Sequence, residues 1–231
     1  MSRLRLPAFH DIARIIGRDE AETEAKLFNH LTNPDSAPFN YRCARTLSHF
    51  AFARLLPLQQ ILDGCKRERT QQGKRSNETV LRILWEKGRS VRTFELAPRF
   101  LDIRKDLRIR VALPFYFVEN GKACAFWLQP RKAYAFDLGQ LALLASMVKT
   151  AVLRDDFRDV DFEMHDMSAP AKGKEREHTV YHLDSFSILS EAETREKLQL
   201  LAVAYDRLVA RGVQRSQRTP KHPPIPGSDL F

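Results

Sequence analysis

Apolar and polar residues alternate most clearly within residues 109–129, and this alternation predicts a β-hairpin. Asn120 and Gly121 form the favoured pair for a type I′ turn, since both turn positions need a positive φ that these residue types tolerate. A two-residue turn also sets the register, so that Phe115 faces Phe126 across the two strands. This hairpin is therefore predicted to be the centre of the fold.

The two faces of the predicted hairpin differ in polarity, because opposed residues share a face and neighbours along a strand alternate. One face is wholly apolar and must be packed against other elements. Its members are Leu113, Phe115, Phe117, Cys124, Phe126 and Leu128. The other face carries Tyr116 and Trp127, whose rings have polar tips. We expect this second face to form either a second core layer or a ligand surface.

Apolar residues at helical spacing predict several helices before the hairpin. They lie within residues 7–17, after a cap at Asp19, and over much of 41–69. A further helix is predicted to begin at a cap formed by Ser76 or Asn77. That boundary makes residues 66–77 an exposed and strongly basic loop.

The segments after the hairpin predict two helices and two strands. Residues 138–154 are apolar almost all round, which predicts a buried helix across the all-apolar face of the hairpin. Ser190 and Glu193 form a capping box that opens a helix over 191–211. Alternating apolar and polar residues predict the strands near 159–166 and 179–187.

Together these elements predict an α+β fold in which a helical N-terminal part precedes a small, mainly antiparallel sheet. The sheet would contain the central hairpin 109–129 and strands near 159–166 and 179–187, covered by helices 138–154 and 191–211. The predicted divisions are a helical region 1–100, an α+β core 101–212 and a flexible Pro-rich tail 213–231.

Composition adds constraints on size and location. A chain of 231 residues, 43% of them hydrophobic, is long enough for one substantial core or for a core with a helical annex. It has no run of about 18 apolar residues, and residues 1–20 lack the apolar stretch of a secretory signal. A cytoplasmic protein with no membrane partner is therefore expected. Cys43, Cys65 and Cys124 are far apart in the sequence and are expected to be reduced thiols.

The net charge of +9 is concentrated in residues 66–110, which hold 14 basic and 6 acidic residues. Such a segment either binds a polyanion or forms a solvated surface. The first hypothesis is a non-catalytic protein that binds DNA or RNA, with cations on the phosphates and aromatic rings stacked on bases. The predicted contact residues are Lys66, Arg67, Arg69, Lys74, Arg75, Arg89, Arg92, Tyr116, Trp127, Arg131, Lys132 and Tyr134.

The second hypothesis is a metal-dependent nuclease. Alternation places Asp161, Glu163 and His165 on one face of a strand, where they would form the catalytic group. If the last two strands pair, His182 and Asp184 would join Asp161 and Glu163 as ligands of a divalent metal that activates water. This metal is the one cofactor considered, and the nucleic-acid-binding hypothesis requires none.

The order helix, hairpin, buried helix and strand resembles the core of restriction-endonuclease-like nucleases. That resemblance implies a carboxylate two residues before a lysine on a core strand. Here Gln129 precedes Arg131 and Lys132, so the acid is lacking. Nucleotide-loop, zincin and nucleophile-elbow motifs are absent from the sequence as well.

The third hypothesis is a small-molecule sensor or a protein-interaction module. A hairpin backed by a buried helix can enclose a pocket, and Tyr116 and Trp127 would line it. The basic segment would then be a solvated surface. The sequence leaves open which hypothesis holds and whether the protein is an enzyme.

Overall fold

A computed structural model of the chain describes residues 4–33, 41–133, 135–171 and 173–214. The fold is α+β, as predicted. The α-helices are α1 (Phe9–Ile15), α2 (Glu20–Thr32), α3 (Arg42–Phe52), α4 (Leu58–Asp63), α5 (Gln71–Glu86), α6 (Leu138–Ala151) and α7 (Glu191–Ala210). The strands are β1 (Arg92–Glu95), β2 (Arg99–Arg104), β3 (Leu107–Val111), β4 (Phe115–Glu119), β5 (Lys122–Gln129), β6 (Asp161–Asp166) and β7 (Thr179–His182). Within these ranges, no helix combines the length and apolar character needed to cross a membrane.

The central hairpin forms with the predicted turn and register. Asn120 and Gly121 have φ values of 52° and 76°, as a type I′ turn requires. Phe115 lies opposite Phe126, so the predicted pairing of β4 with β5 is confirmed. The hairpin is shorter than residues 109–129, because Pro114 cannot donate to the ladder and the segment before it forms β3. Strand β3 pairs with β2 in a separate two-stranded sheet.

The five-stranded sheet has the order β1-β4-β5-β6-β7. Strands β5 and β6 are parallel, and α6 connects them, whereas the other neighbours are antiparallel. Strand β7 ends at His182 because the next three residues form a 3₁₀ turn, which makes it shorter than the predicted 179–187. The capping box at Ser190 forms as predicted and starts α7.

Helices cover both faces of this sheet. The face of Phe115, Phe117 and Phe126, called the Phe face, packs against α3, α4 and α5. The opposite face, called the Trp face because it carries Trp127, packs against α1, α6 and α7. The prediction that α6 lies across the Phe face is therefore wrong. Helices α3, α4 and α5 already occupy that face, and α6 crosses the other one, which is apolar enough to bury it.

Most of the basic run 66–77 is helical rather than a loop. A 3₁₀ turn spans Gly64–Arg67, and α5 begins at Gln71, where the Thr70 hydroxyl accepts a hydrogen bond from the Gly73 amide. Asn77, a predicted helix cap, is buried inside α5. Its side-chain oxygen accepts from the Ala44 amide at 2.8 Å and so joins α5 to α3. Of the predicted tail 213–231, residues 215–231 lie outside the described residues.

Candidate functional site

The aromatic residues predicted to stack on bases are engaged in the fold. Trp127 is 2% exposed and packs against Phe9 and Phe136, so it has no ring face for a base. Tyr116 is stacked on Phe94 at a centroid distance of 5.0 Å and meets Phe157 edge-on. Stacking by Trp127 is therefore wrong, and one face of the Tyr116 ring is already occupied by Phe94. Tyr134 lies outside the described residues.

The basic stretch 66–110 does not form one surface. Its first part belongs to α5 and the preceding 3₁₀ turn, which are in the layer on the Phe face. Its last part belongs to β2 and β3, which contact α1, α6 and α7 on the Trp face. The five-stranded sheet therefore lies between the two groups of cations. The sequence did not reveal this division, because the two groups of cations are close along the chain and only β1 separates the layers to which they belong.

The predicted phosphate contacts fall into two classes. Some already have carboxylate partners: Lys66 with Asp63, Lys74 with Glu78, Arg89 with Glu119 and Glu163, Arg131 with Asp11, and Lys132 with Glu175. Others are exposed and form no ion pair within the described part of the chain: Arg67, Arg69, Arg75 and Arg92. Charge in the sequence alone did not separate these classes.

The predicted acidic face of β6 is buried at Glu163 and His165 and exposed at Asp161. Glu163 is 4% exposed and lies on the Phe face together with His165. Arg89 follows α5 and binds both carboxylate oxygens of Glu163 through its two terminal nitrogens, each at 3.1 Å. His165 Nε2 lies 3.1 Å from Glu163 Oε2, and His182 Nδ1 lies 3.6 Å from Glu163 Oε1. We call this group, with Glu119 and His178, the Glu163 cluster.

Electrostatics assign protons within the Glu163 cluster. Burial alone would raise the pKa of Glu163, but the hydrogen bonds from His165 and Arg89 outweigh it, so the pKa is lowered and the group is a carboxylate. Burial lowers the pKa of His165 and lowers that of His178 to about 4. Both rings are thus neutral at pH 7. His165 therefore donates from Nε2 to Glu163 and accepts at Nδ1 from His178 Nε2, 2.9 Å away.

The structure brings together part of the predicted metal site. Glu163, His165 and His182 meet in the Glu163 cluster, whereas Asp161 is exposed and accepts a hydrogen bond from the Phe162 amide. Asp184 lies in the exposed 3₁₀ turn after β7. Among the described residues, no group of three or more His, Cys, Asp or Glu side chains is arranged to hold a metal ion. The oxygens of Glu163 instead bind a guanidinium and an imidazole, an arrangement that ties the end of α5 to β6.

A second polar group lies at the carboxyl ends of the parallel strands β5 and β6. Gln129 and Asp166 are register partners there, and both are buried. Around them lie Arg14 from α1, Arg45 from α3 and Arg131 just after β5, which we call the arginine cluster. The carboxyl ends of parallel strands are where α/β sheets commonly form their ligand sites.

The three arginines are close enough to affect one another electrostatically. Burial and the charge of Arg131 lower the pKa of both Arg14 and Arg45 to about 10. Asp11 accepts from Arg131 Nη1 at 2.7 Å and Nη2 at 3.4 Å. Arg45 has no ion pair with a carboxylate in the described ranges. Counting only the described residues, the cluster therefore contains three guanidinium groups against the carboxylates of Asp11 and Asp166, even when Asp166 is counted as ionised.

His10 completes this site. Burial lowers its pKa to about 3, so the ring is neutral at pH 7. Arg45 Nη2 lies 3.3 Å from His10 Nε2. Because a guanidinium only donates, Nε2 must accept, and the ring proton is on Nδ1. Neither His10 Nδ1 nor Arg45 Nε has a hydrogen-bond partner among the described residues.

Sequence reasoning identified Arg131 in this cluster but missed its other members. A single histidine on a short helix carried no signal, and Arg14, Arg45 and Arg131 are widely separated along the chain. Asp11 is buried in α1 beside Ile12 and Ala13, but that burial is visible only in the structure.

The outer face of the β2–β3 sheet forms a third candidate surface. Alternation buries Leu107, Ile109 and Val111 and exposes Arg108 and Arg110. Phe100 lies opposite Arg110 and is 40% exposed. The Arg108 guanidinium lies 4.6 Å from the centre of the Phe100 ring. We call Phe100, Arg108 and Arg110 the outer hairpin surface.

No family model matches the sequence, and no curated protein is significantly similar to it. A functional proposal therefore depends on the geometry of these three sites.

Proposed function

We propose that the protein is a non-catalytic, nucleic-acid-associated protein that binds single strands on the outer hairpin surface. The observation that carries the proposal is the exposed Phe100 ring, which lies opposite Arg110 and 4.6 Å from the Arg108 guanidinium. An aromatic face beside guanidinium groups suits a nucleic-acid strand, because the ring stacks on a base and the cations neutralise neighbouring phosphates.

The local charge supports this choice of surface. Residues 99–111 contain five basic and two acidic residues. Arg104 is bound to Asp206 and Asp106, so its charge is already balanced. Arg108 and Arg110, in contrast, form no ion pair with any described carboxylate, although Asp102 is the register partner of Arg108. Their charges therefore remain available to phosphate groups.

The first experiment measures fluorescence anisotropy of a labelled single strand of about 12 nucleotides over a range of salt concentrations. Binding should weaken as salt rises. In Arg108→Gln/Arg110→Gln, the slope of log K against log salt should decrease in magnitude by about 1.4, because two phosphate contacts are lost. Phe100→Ala should weaken binding about tenfold through lost stacking.

Arg67→Gln/Arg69→Gln is the matched control. It removes the same charge from two exposed arginines near the start of α5, on the other layer of the molecule. The control should keep most of the affinity. Equal losses in the two double variants would indicate attraction by net charge and overturn the assignment to the outer hairpin surface. Undetectable binding at low salt would overturn nucleic-acid association itself.

A further inference from the structure

We infer that the arginine cluster is a binding site for one phosphate group, separate from the outer hairpin surface. This site lies at the carboxyl ends of β5 and β6, between α1 on the Trp face and α3 on the Phe face. The two surfaces share no residue, so either can be tested without the other.

The charge balance of the cluster favours an anion. Arg14, Arg45 and Arg131 supply three guanidinium groups, and the Asp11 carboxylate accepts hydrogen bonds from Arg131. Burial by itself would raise the pKa of Asp11. The opposite effects of His10 and Arg131 are larger together, so the pKa is lowered. Since His10 is neutral at pH 7, the Arg131 ion pair is the interaction that keeps Asp11 ionised there. Arg45 forms no ion pair with a described carboxylate, and the charge of Arg131 lowers its pKa, so a further negative charge beside Arg45 would be stabilising.

Two buried hydrogen-bond donors also favour a ligand with oxygen acceptors. His10 is 6% exposed, and its Nδ1 proton has no acceptor among the described residues, nor does that of Arg45 Nε. Buried donors without acceptors are unfavourable, so an oxygen-rich ligand would relieve an existing deficit. This feature distinguishes the cluster from a solvated group of surface arginines.

The cluster is accessible and is firmly positioned. The Arg131 side chain is 26% exposed, so the site opens to solvent at its rim. Arg176 donates to the carbonyls of Pro130 and Met167 at 2.7 and 2.8 Å and to the Tyr41 hydroxyl at 2.7 Å. These bonds hold the segments that follow β5 and β6. Guanidinium groups held in this way suit the several oxygens of a phosphate, each of which accepts charge-assisted hydrogen bonds.

The test is calorimetric titration of the intact chain with inorganic phosphate at constant ionic strength, with chloride as the balancing anion. Saturable binding of one phosphate per chain is expected. Arg45→Gln should weaken it by about tenfold or more, because one guanidinium without a carboxylate partner is lost. Arg82→Gln removes an exposed arginine on α5 and should bind phosphate like the original protein.

Absence of saturable phosphate binding to the original protein would overturn the inference, and so would equal affinity in Arg45→Gln and the original protein. Circular dichroism checks that Arg45→Gln is folded. If it is not, Arg45→Lys replaces it, since lysine keeps the charge without the planar donor geometry, and its affinity should still fall.

Competition identifies the source of the phosphate. A short strand with a 5′-phosphate and the same strand without it are each tested for displacement of inorganic phosphate. Displacement by the phosphorylated strand alone supports a terminal phosphate, displacement by both supports a backbone phosphate, and displacement by neither supports a small phosphorylated molecule. Arg108→Gln/Arg110→Gln should retain its affinity for inorganic phosphate, which separates this inference from the proposed function.

Discussion

Replacing Glu163 by glutamine tests whether the Glu163 cluster holds the fold together. The substitution keeps the size of the side chain but removes its charge. Arg89 then loses its two-oxygen partner, with both contacts now at 3.1 Å. The amide oxygen can still accept from His165, so the change isolates the ion pair rather than the whole network.

The expected size of the effect follows from burial. Removing one partner from a buried ion pair destabilises proteins by about 3–5 kcal/mol. Arg89 is partly exposed and retains Glu119 at 2.9 Å, which reduces the effect. We therefore expect Glu163→Gln to lower the free energy of unfolding by about 2–3 kcal/mol.

Urea unfolding, followed by the fluorescence of Trp85 and Trp127, measures this change. The comparison requires that the slope of unfolding free energy against urea concentration is the same in both proteins. Glu119→Gln is the matched control. Glu119 binds the same guanidinium, but its side chain is 38% exposed, so its loss should lower the unfolding free energy by less than about 1 kcal/mol. An equal effect of the two substitutions would refute the assignment of the stabilising interaction to Glu163.

The pH dependence provides a second check. The pKa of Glu163 is lowered in the folded protein. Its charge therefore stabilises the fold above the unfolded pKa of about 4.3, and this contribution is lost as pH falls through the folded pKa. The difference between Glu163→Gln and the original protein should shrink below about pH 4. A difference that grows with acid would contradict the proton assignment.

Two further predictions concern α1 and α5. Because burial lowers the pKa of His10 to about 3, the unfolded chain takes up a proton below about pH 6.5 that the folded protein does not, so stability falls with acid. His10→Gln should reduce the loss of unfolding free energy between pH 7 and pH 5 by about 2 kcal/mol, and an unchanged loss would show that His10 protonates in the fold. Thr70→Ala should destabilise the protein by about 1 kcal/mol in urea unfolding, since it removes the cap of α5. Ser76→Ala should have little effect. A larger loss of stability in Ser76→Ala than in Thr70→Ala would place the start of α5 at residue 76.

The places where sequence reasoning failed share one cause. Residues 66–77 are polar and basic, which is typical of a loop, yet Asn77 is buried because α3 presents the Ala44 amide to it. Trp127 has the amphipathic character of a binding residue, yet Phe9 and Phe136 cover it. In each case a distant segment supplied the partner, and local composition contains no information about that partner.

What the sequence by itself determined is local. The turn at Asn120 and Gly121, the register of β4 with β5 and the cap at Ser190 each depend on a few neighbouring residues whose backbone preferences are strong. Alternation likewise predicted that Glu163 and His165 share a face. Only the tertiary structure decided which layer covers which face, that a guanidinium rather than a metal occupies the Glu163 carboxylate, and that Arg14, Arg45 and Arg131 meet. Those outcomes depend on contacts between segments far apart in the chain, where burial decides which charges are paired and which remain for a ligand.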